Sequence, residues 1–379
     1  MNKLKQLIKL ILFYITDILV PKKVIKKNTI LLIRLDAIGD YVLFRNYIEI
    51  LKIVYKDYKI TLVGNIAYKS IAEEFDSRFI DNFIWIDRSK FERNFIYRYK
   101  KIKEIASQGY EIVINPTYSR TFFVDDNIVK VSNAKEKIGS QGDLSNINHR
   151  QKNISDKYYT KLVPVNNEIL FEFYRNKEFF ENLFDKKLDI KKPIIKLKEK
   201  KLNFKVPDYF AVLFIGASTS FRKWNIEKFV EIGRFLKETY NYDIVLCGGP
   251  TDTDDAERFN NLANYDYLDL VGKTSLIDFL YIISNGNIMI SNETSAPHFA
   301  VALEMMNVFV IYSGNHYGRF TPYPKEVSKK YHVVYHPEIE KDLDNYKKLS
   351  NSYGYGSKLD IHEIKVESVI NMLDKTLNI

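Results

Sequence analysis

From Thr29 onward, short apolar runs of strand length alternate with amphipathic stretches of helical length. This alternation constrains the fold more than any other feature, because strands separated by helices pair in parallel and need helices on their faces. In the first half the pattern predicts strands at 29–35, 59–63, 83–86 and 111–114, with helices at 41–55, 67–75 and 92–107 between them. A short stretch begins at Ile138-Gly139, the polar segment 141–166 reads as a long mobile loop, and a helix is expected near 167–184. The second half predicts strands at 209–215, 243–247, 268–271, 287–291 and 307–312, alternating with helices at 225–239, 252–263, 275–284 and 295–304, and a closing helix at about 361–376. The boundaries follow: an N-terminal amphipathic segment 1–27, a first α/β domain 28–190, a Lys-rich linker 191–205, a second α/β domain 206–360, and a C-terminal helix 361–379.

Three turns carry the candidate chemistry. In Ile288 to Ala300 an apolar strand stops at Ser291 and a helix begins near Thr294, with Pro297 in its first turn. The backbone N–H groups of such a start, at Thr294, Ser295 and Ala296, make an anion site, with Glu293 and His298 beside it. That set suits a phosphate-bearing ligand with Glu293 on a sugar hydroxyl; an ordinary well-capped βα turn is the plain alternative. At Asp36 to Asp40 a strand meets a helix through a tight turn, where Gly39 permits a positive φ or a close approach. Asp40 is then either an N-cap or a general base at the carboxyl end of the first strand, where open α/β sheets place ligands. In Phe214 to Asn225 a strand enters a small-residue loop containing Ser218 and ending in Arg222 and Lys223, two cations able to neutralise a diphosphate.

Other segments are less specific. Gly248-Gly249-Pro250 borders a nucleotide or is a plain turn. Asp252-Thr253-Asp254 has the spacing of a metal-binding pair, but it opens a helix, where acidic residues favour the dipole; no metal is expected. Tyr118 and Arg120 follow the strand at 111–114, and Arg120 could meet an acidic or phosphorylated ligand. His316 and Arg319 lie in a Gly-flanked loop after the last core strand. The single cysteine, Cys247, excludes a disulfide framework and reads as a buried strand residue.

Apolar residues at 46% allow real cores, and the net charge of +9 suits an anionic partner. No nucleic-acid module is visible, so lipid or a phosphorylated acceptor is preferred. The segment Met1 to Val20 is apolar but interrupted by Lys3, Lys5, Lys9 and Asp17, and Lys22, Lys23, Lys26 and Lys27 follow. It lacks both a clean span and a small-residue cleavage site. It therefore reads as an interfacial helix on a membrane, or as a helix docked on the protein's own surface.

Taken in order, these motifs resemble glycosyltransferase family 9, the ADP-heptose:lipopolysaccharide heptosyltransferases. Ile33-Arg34-Leu35 through Gly39-Asp40 is similar to the family's I-R-L-x-x-x-G-D turn, and Gly216 to Trp224 to its P-G-A-S-x-x-x-K-x-W loop. Gly248-Gly249-Pro250, Leu270 to Leu276 and Ser291 to Ala302 continue the series. Glu293 stands where the family usually has Asp, Ser295 and Ala296 replace a Gly-centred pair, and Ser313 to Phe320 replaces an F-G-x-T-x-P loop.

The resemblance implies a glycosyltransferase B fold, two Rossmann-like domains with parallel sheets facing a central cleft. It implies an inverting, metal-independent transfer of a heptose or another sugar from a nucleotide-diphosphate donor to a lipopolysaccharide or other surface-glycan acceptor. No cofactor is implied. Asp40 would be the base, with Gly39, Tyr118 and Arg120 on the acceptor side. Ser218, Arg222, Lys223, Gly248, Gly249, Glu293, Thr294, Ser295, Ala296 and His298 would hold the donor. The expected location is cytoplasmic, at the inner face of the inner membrane and in peripheral contact with its lipid. A nucleotide-sugar epimerase of related fold and a catalytically degenerate sugar-binding protein are the competing readings.

Overall fold

The computed structural model describes residues 3–20, 23–199, 202 and 204–378, with the backbone alone for residues 3–10. The side chains of Lys3, Lys5 and Lys9, together with Lys22, three linker positions and Ile379, lie outside the described residues. The chain forms two compact units, residues 1–168 with 174–189, and residues 169–173 with 190–379.

The first unit holds β1 (Thr29–Arg34), β2 (Lys59–Asn65), β3 (Asn82–Ile86), β4 (Ile112–Asn115), β5 (Glu136–Ser140) and β6 (Lys161–Val163), in the order β3-β2-β1-β4-β5-β6. The second holds β7 (Phe210–Phe214), β8 (Asp243–Cys247), β9 (Leu268–Asp269), β10 (Ile288–Asn292), β11 (Asn307–Tyr312) and β12 (Tyr331–Tyr335), in the order β12-β11-β10-β7-β8-β9. Every pairing within these sheets is parallel. Counted within its own unit, each sheet runs 3-2-1-4-5-6, the dinucleotide-binding order. The strand order reverses between β1 and β4 in one sheet and between β7 and β10 in the other. Ligands of open α/β sheets sit beyond the carboxyl ends of strands at such a point.

Burial on both faces explains why the central strands read as continuous apolar runs. Leu31, Ile33 and Val113 share the first core with Phe91, Ile102 and Ile128, all fully buried. In the second core Leu213, Leu246 and Ile290 meet Phe229 and Leu236 of the helix Ile226–Tyr240, and Val369 and Leu373 of the helix Val366–Leu377.

The structure departs from the sequence expectations at several places. The helix expected at 41–55 is two helices, Ile38–Phe44 and Asn46–Val54, and the first starts after an extended Ala37. Gly39 therefore lies in a right-handed helix, and of the two roles open to it the positive φ is absent. The segment 141–166 is not one long loop. It contains the helix His149–Ser155, closed by a reciprocal capping box between Asn148 and Gln151, and the edge strand β6. The helix Asp125–Val131 and the strand β12 were not expected; both are too short to build a periodic pattern.

The N-terminal helix Lys3–Ile18 packs on the first unit. The Phe13 ring lies 5.8 Å from that of Phe123, and the Arg98 guanidinium covers it at 3.9 Å. Asp17 accepts from Asn127 at 2.7 Å and pairs with Lys130 at 2.9 Å. Of the two alternatives for this segment, docking on the protein's own surface is present.

Candidate active site

Beyond β1, the chain is held by a buried arginine. Arg34 is fully buried; its Nε pairs with Asp36 at 3.0 Å and its guanidinium donates to Asn176 at 3.0 Å. Asn65 donates to the Asp36 carbonyl at 3.1 Å, and the Tyr68 hydroxyl donates to the Arg34 carbonyl. These contacts fix the Leu35–Asp36 exit and so set the start of the helix Ile38–Phe44. Asp40 lies in its first turn, half-buried. The N-cap of this helix is Ala37 and Asp40 is its third residue, so Asp40 is not the N-cap the sequence offered as an alternative; a carboxylate in this turn is favoured by the helix dipole.

Beyond β4, Tyr118 is largely buried under the Arg175 guanidinium, 4.0 Å from its ring centre. Arg120 is fully enclosed. It donates to Asp156, lies 3.5 Å from Asp126, and covers the Tyr159 ring at 4.8 Å. Its charge is shared by two carboxylates of its own unit, buried Asp126 and part-exposed Asp156. Asp125, which the sequence reading passed over, opens the next helix. Its Oδ2 accepts from the Thr121 amide at 3.0 Å and hydroxyl at 2.7 Å, while its Oδ1 has no hydrogen-bond partner among the described residues. Burial, then the charge of Asp36, pushes its carboxyl up to about 7 against the pull of Arg88.

In the second unit, Asn292 at the end of β10 ties two loops together. It donates to the Ile215 carbonyl at 2.8 Å and accepts from the Trp224 amide at 3.0 Å. The loop after β7 is thus fixed beside the turn after β10. Ser218 is exposed on that loop, and Arg222 ends a short 3-10 turn. Arg222 Nε lies 3.6 Å from Glu293 Oε2. The Asn315 amide, with its oxygen toward Arg222, accepts from Nε at 3.1 Å, and it also bonds to Glu293. Glu293 is buried, and burial pushes its carboxyl up to about 7, with Arg222 and then Asn315 pulling the other way. Two departures from the family pattern, Glu293 and the Ser313–Phe320 loop, therefore meet at one contact. Both departures are visible in the sequence, whereas Asn315 carries no signal of its own there.

The helix Ser295–Ala302 begins at this cluster. Thr294 is its extended N-cap, but no side chain caps the helix. Ser295 and Ala296 supply its first amides, a geometry whose backbone dipoles would favour an anion, and the residue before the N-cap, Glu293, pairs with Arg222. His298 is buried and bonds Tyr323 Oη through Nδ1 at 2.7 Å. Burial, then Arg222, holds its imidazole down to about 4, so it is neutral at pH 7 and offers hydrogen bonding without charge.

Lys223 has partners of its own. Its ammonium lies 2.7 Å from both Asp252 and Asp255. Burial alone would lower its pKa, but the bonds to these two carboxylates outweigh it and hold it above the usual value. Asp252 Oδ2 in turn accepts from the Gly249 amide at 2.8 Å, and a Cβ on Gly216 would come within 2.3 Å of it. Gly216 thus makes room for Asp252. Asp254, the other half of the metal-like spacing, is exposed, and among the described residues no group of three or more His, Cys, Asp or Glu side chains could hold a metal. Arg319 pairs with Glu172 at 3.2 Å and His316 lies 3.4 Å from the Gly354 carbonyl. Cys247 is buried in β8, where burial pushes its thiol up.

Two parallel α/β units, each of dinucleotide-binding strand order, are the architecture of the glycosyltransferase B fold. The model of glycosyltransferase family 9 (heptosyltransferase) matches residues 98–349, and the chain belongs to that family and is a glycosyltransferase. No curated protein sequence matches it.

Among solved structures, it is similar to a family 9 glycosyltransferase from Veillonella parvula DSM 2008, at 16% identity and TM-score 0.69 over 94% of this chain and 99% of that one. It is similar to the E. coli ADP-heptose lps heptosyltransferase II, at 14% identity and TM-score 0.66 over 92% and 98%. It is also similar to E. coli heptosyltransferase WaaC with ADP-2-deoxy-2-fluoro heptose, at 14% identity and TM-score 0.65 over 92% and 99%.

Proposed function

We propose that the protein transfers a heptose or another sugar from a nucleotide-diphosphate donor to a lipopolysaccharide or other surface-glycan acceptor, with inversion and without a metal. The observation that carries this reading is the arrangement at the β7/β10 switch point: Arg222, Glu293 and Asn315 around the start of the helix Ser295–Ala302. One E. coli heptosyltransferase in the structural comparison is complexed with an ADP-heptose analogue, which favours an ADP-sugar here.

In the proposed reaction Asp40 takes the proton of the acceptor hydroxyl as its oxygen attacks the anomeric carbon. The bond from that carbon to the diphosphate breaks on the opposite face. The charge arriving on the leaving diphosphate is met by Arg222 and by the backbone dipoles at Ser295 and Ala296. Glu293 accepts a hydroxyl of the donor. Ser218, Gly248, Gly249 and His298 border the donor, and Gly39 and Tyr118 the acceptor. Lys223 spends two of its three N–H groups on Asp252 and Asp255, keeps one for the diphosphate, and positions Asp252. The metal-free reading is supported by Asp252, whose two oxygens already serve Lys223 and Gly249. The proposed location is the cytoplasmic face of the inner membrane.

The test is release of nucleoside diphosphate from a panel of nucleotide sugars with a glycolipid acceptor. Asp40→Asn should keep donor binding and lose turnover by about 10²-fold or more, and EDTA should change nothing. Unchanged turnover in the variant would remove Asp40 from the mechanism, and loss with EDTA that manganese restores would reinstate a metal.

A further inference from the structure

Over residues 11–19 the N-terminal helix and the turn after it dock through one side and leave apolar side chains exposed on the other. Phe13, Thr16 and Asp17 face the protein: Phe13 and Thr16 are buried, and Asp17 is held by Asn127 and Lys130. Ile11, Ile15 and Ile18, spaced by four and three residues along one helix face, are all exposed, as are Leu12 and Leu19. An exposed run of large aliphatic residues on a helix already anchored by its opposite side marks an interaction surface.

The strap from residue 23 is also held on the first unit and is also exposed. The Lys26 amide donates to the Gly109 carbonyl at 2.8 Å. Gly109 has φ +71°, and a Cβ there would come within 2.2 Å of the Val24 carbonyl oxygen, so the strap lies tight against the unit. Val24 is 88% exposed, between exposed Lys23, Lys26 and Lys27. The helix Phe95–Ala106, against which the N-terminal helix packs, begins at a pocket of about 430 Å³ that includes Lys90, Arg93 and exposed Ile96.

The charge selects the occupant. Two copies of a face bordered by three exposed lysines repel each other, whereas an anionic bilayer takes both the aliphatic side chains and the cations. Among the described residues no helix is long and apolar enough to cross a membrane, so the fit is to the headgroup layer.

We propose that Ile11, Leu12, Ile15, Ile18, Leu19 and Val24 seat in the headgroup region of an anionic bilayer, with Lys23, Lys26 and Lys27 on the lipid phosphates. The docked side of the helix makes the first unit and the membrane face one rigid piece. This deepens the transferase reading, on which it rests only for the presence of a membrane-borne acceptor.

The experiment is co-sedimentation of the full-length protein with vesicles of phosphatidylglycerol and phosphatidylcholine, and with pure phosphatidylcholine. The wild type should partition to the anionic vesicles. Ile11→Asp with Ile18→Asp should lower that partition by about tenfold or more, with the melting temperature and nucleoside-diphosphate binding unchanged. Lys23→Glu with Lys26→Glu and Lys27→Glu should do the same at low salt. No wild-type binding, equal binding to neutral vesicles, or equal partition of the variants overturns the proposal. So does a dimer in sedimentation velocity that the Ile11→Asp, Ile18→Asp variant dissociates. Anionic-vesicle binding by a protein without transferase activity upholds this inference and removes the transferase reading.

Discussion

Glu293→Gln should stabilise the second unit, and only at high pH. The folded protein holds this carboxyl near 7 against an ordinary 4.5, chiefly because it is buried. Between those two values the folded state binds more protons than the unfolded chain, so stability falls as pH rises and levels off above about 7. The gap between those two values corresponds to about 3 kcal/mol at most. Glutamine has nearly the same shape and no charge to desolvate. The variant should therefore gain up to about 3 kcal/mol over the wild type at pH 8, and almost nothing at pH 4.5. Of the two tryptophans, Trp224 is buried in the second core, so urea unfolding in a Trp85→Phe background reads that unit alone. If Glu293 accepts a donor hydroxyl, the same variant loses about tenfold or more in donor affinity while it gains stability. Equal differences at both pH values, or a variant less stable at pH 8, would refute a buried carboxylate ionised against its surroundings.

Lys223→Ala should weaken diphosphate binding more than nucleoside binding, measured by competition titration, and by less than Arg222→Ala does, because its ammonium is shared with Asp252 and Asp255. Arg120→Met should cost about 3–5 kcal/mol by leaving buried Asp126 without its cation. It should lower the melting temperature and leave donor affinity untouched. A stable Arg120→Met protein with a raised acceptor KM would instead restore Arg120 to the acceptor side.

The parallel α/β architecture was legible because strands buried on both faces leave continuous apolar runs, as Ile30 to Ile33 and Ile288 to Ile290 do. The strand order was not, since nothing in a run such as Ile112–Asn115 names its neighbour. Short elements were lost for a related reason: the helix His149–Ser155 is announced by its capping box rather than by an apolar face. At the site, the residue types at turns were readable, because helix starts and small-residue loops have local signatures. Their partners were not. Lys223 and Asp252 are 29 residues apart, and Arg34 and Asn176 are 142 apart. Arg120 looks the same in sequence whether it faces a ligand or the carboxylates of Asp126 and Asp156. Asn315 had no signal of its own beyond lying in a loop that departs from the family pattern.

The central claim is that the β7/β10 switch point binds a nucleoside diphosphate through Arg222 and the helix start at Ser295. The direct measurement is isothermal titration of the full-length protein with ADP and with adenosine, repeated on Arg222→Ala. ADP should bind the wild type more tightly than adenosine. The variant should lose about 1.5–3 kcal/mol of ADP affinity and none of its adenosine affinity. Absence of ADP binding, or equal losses for the two ligands, would contradict the account.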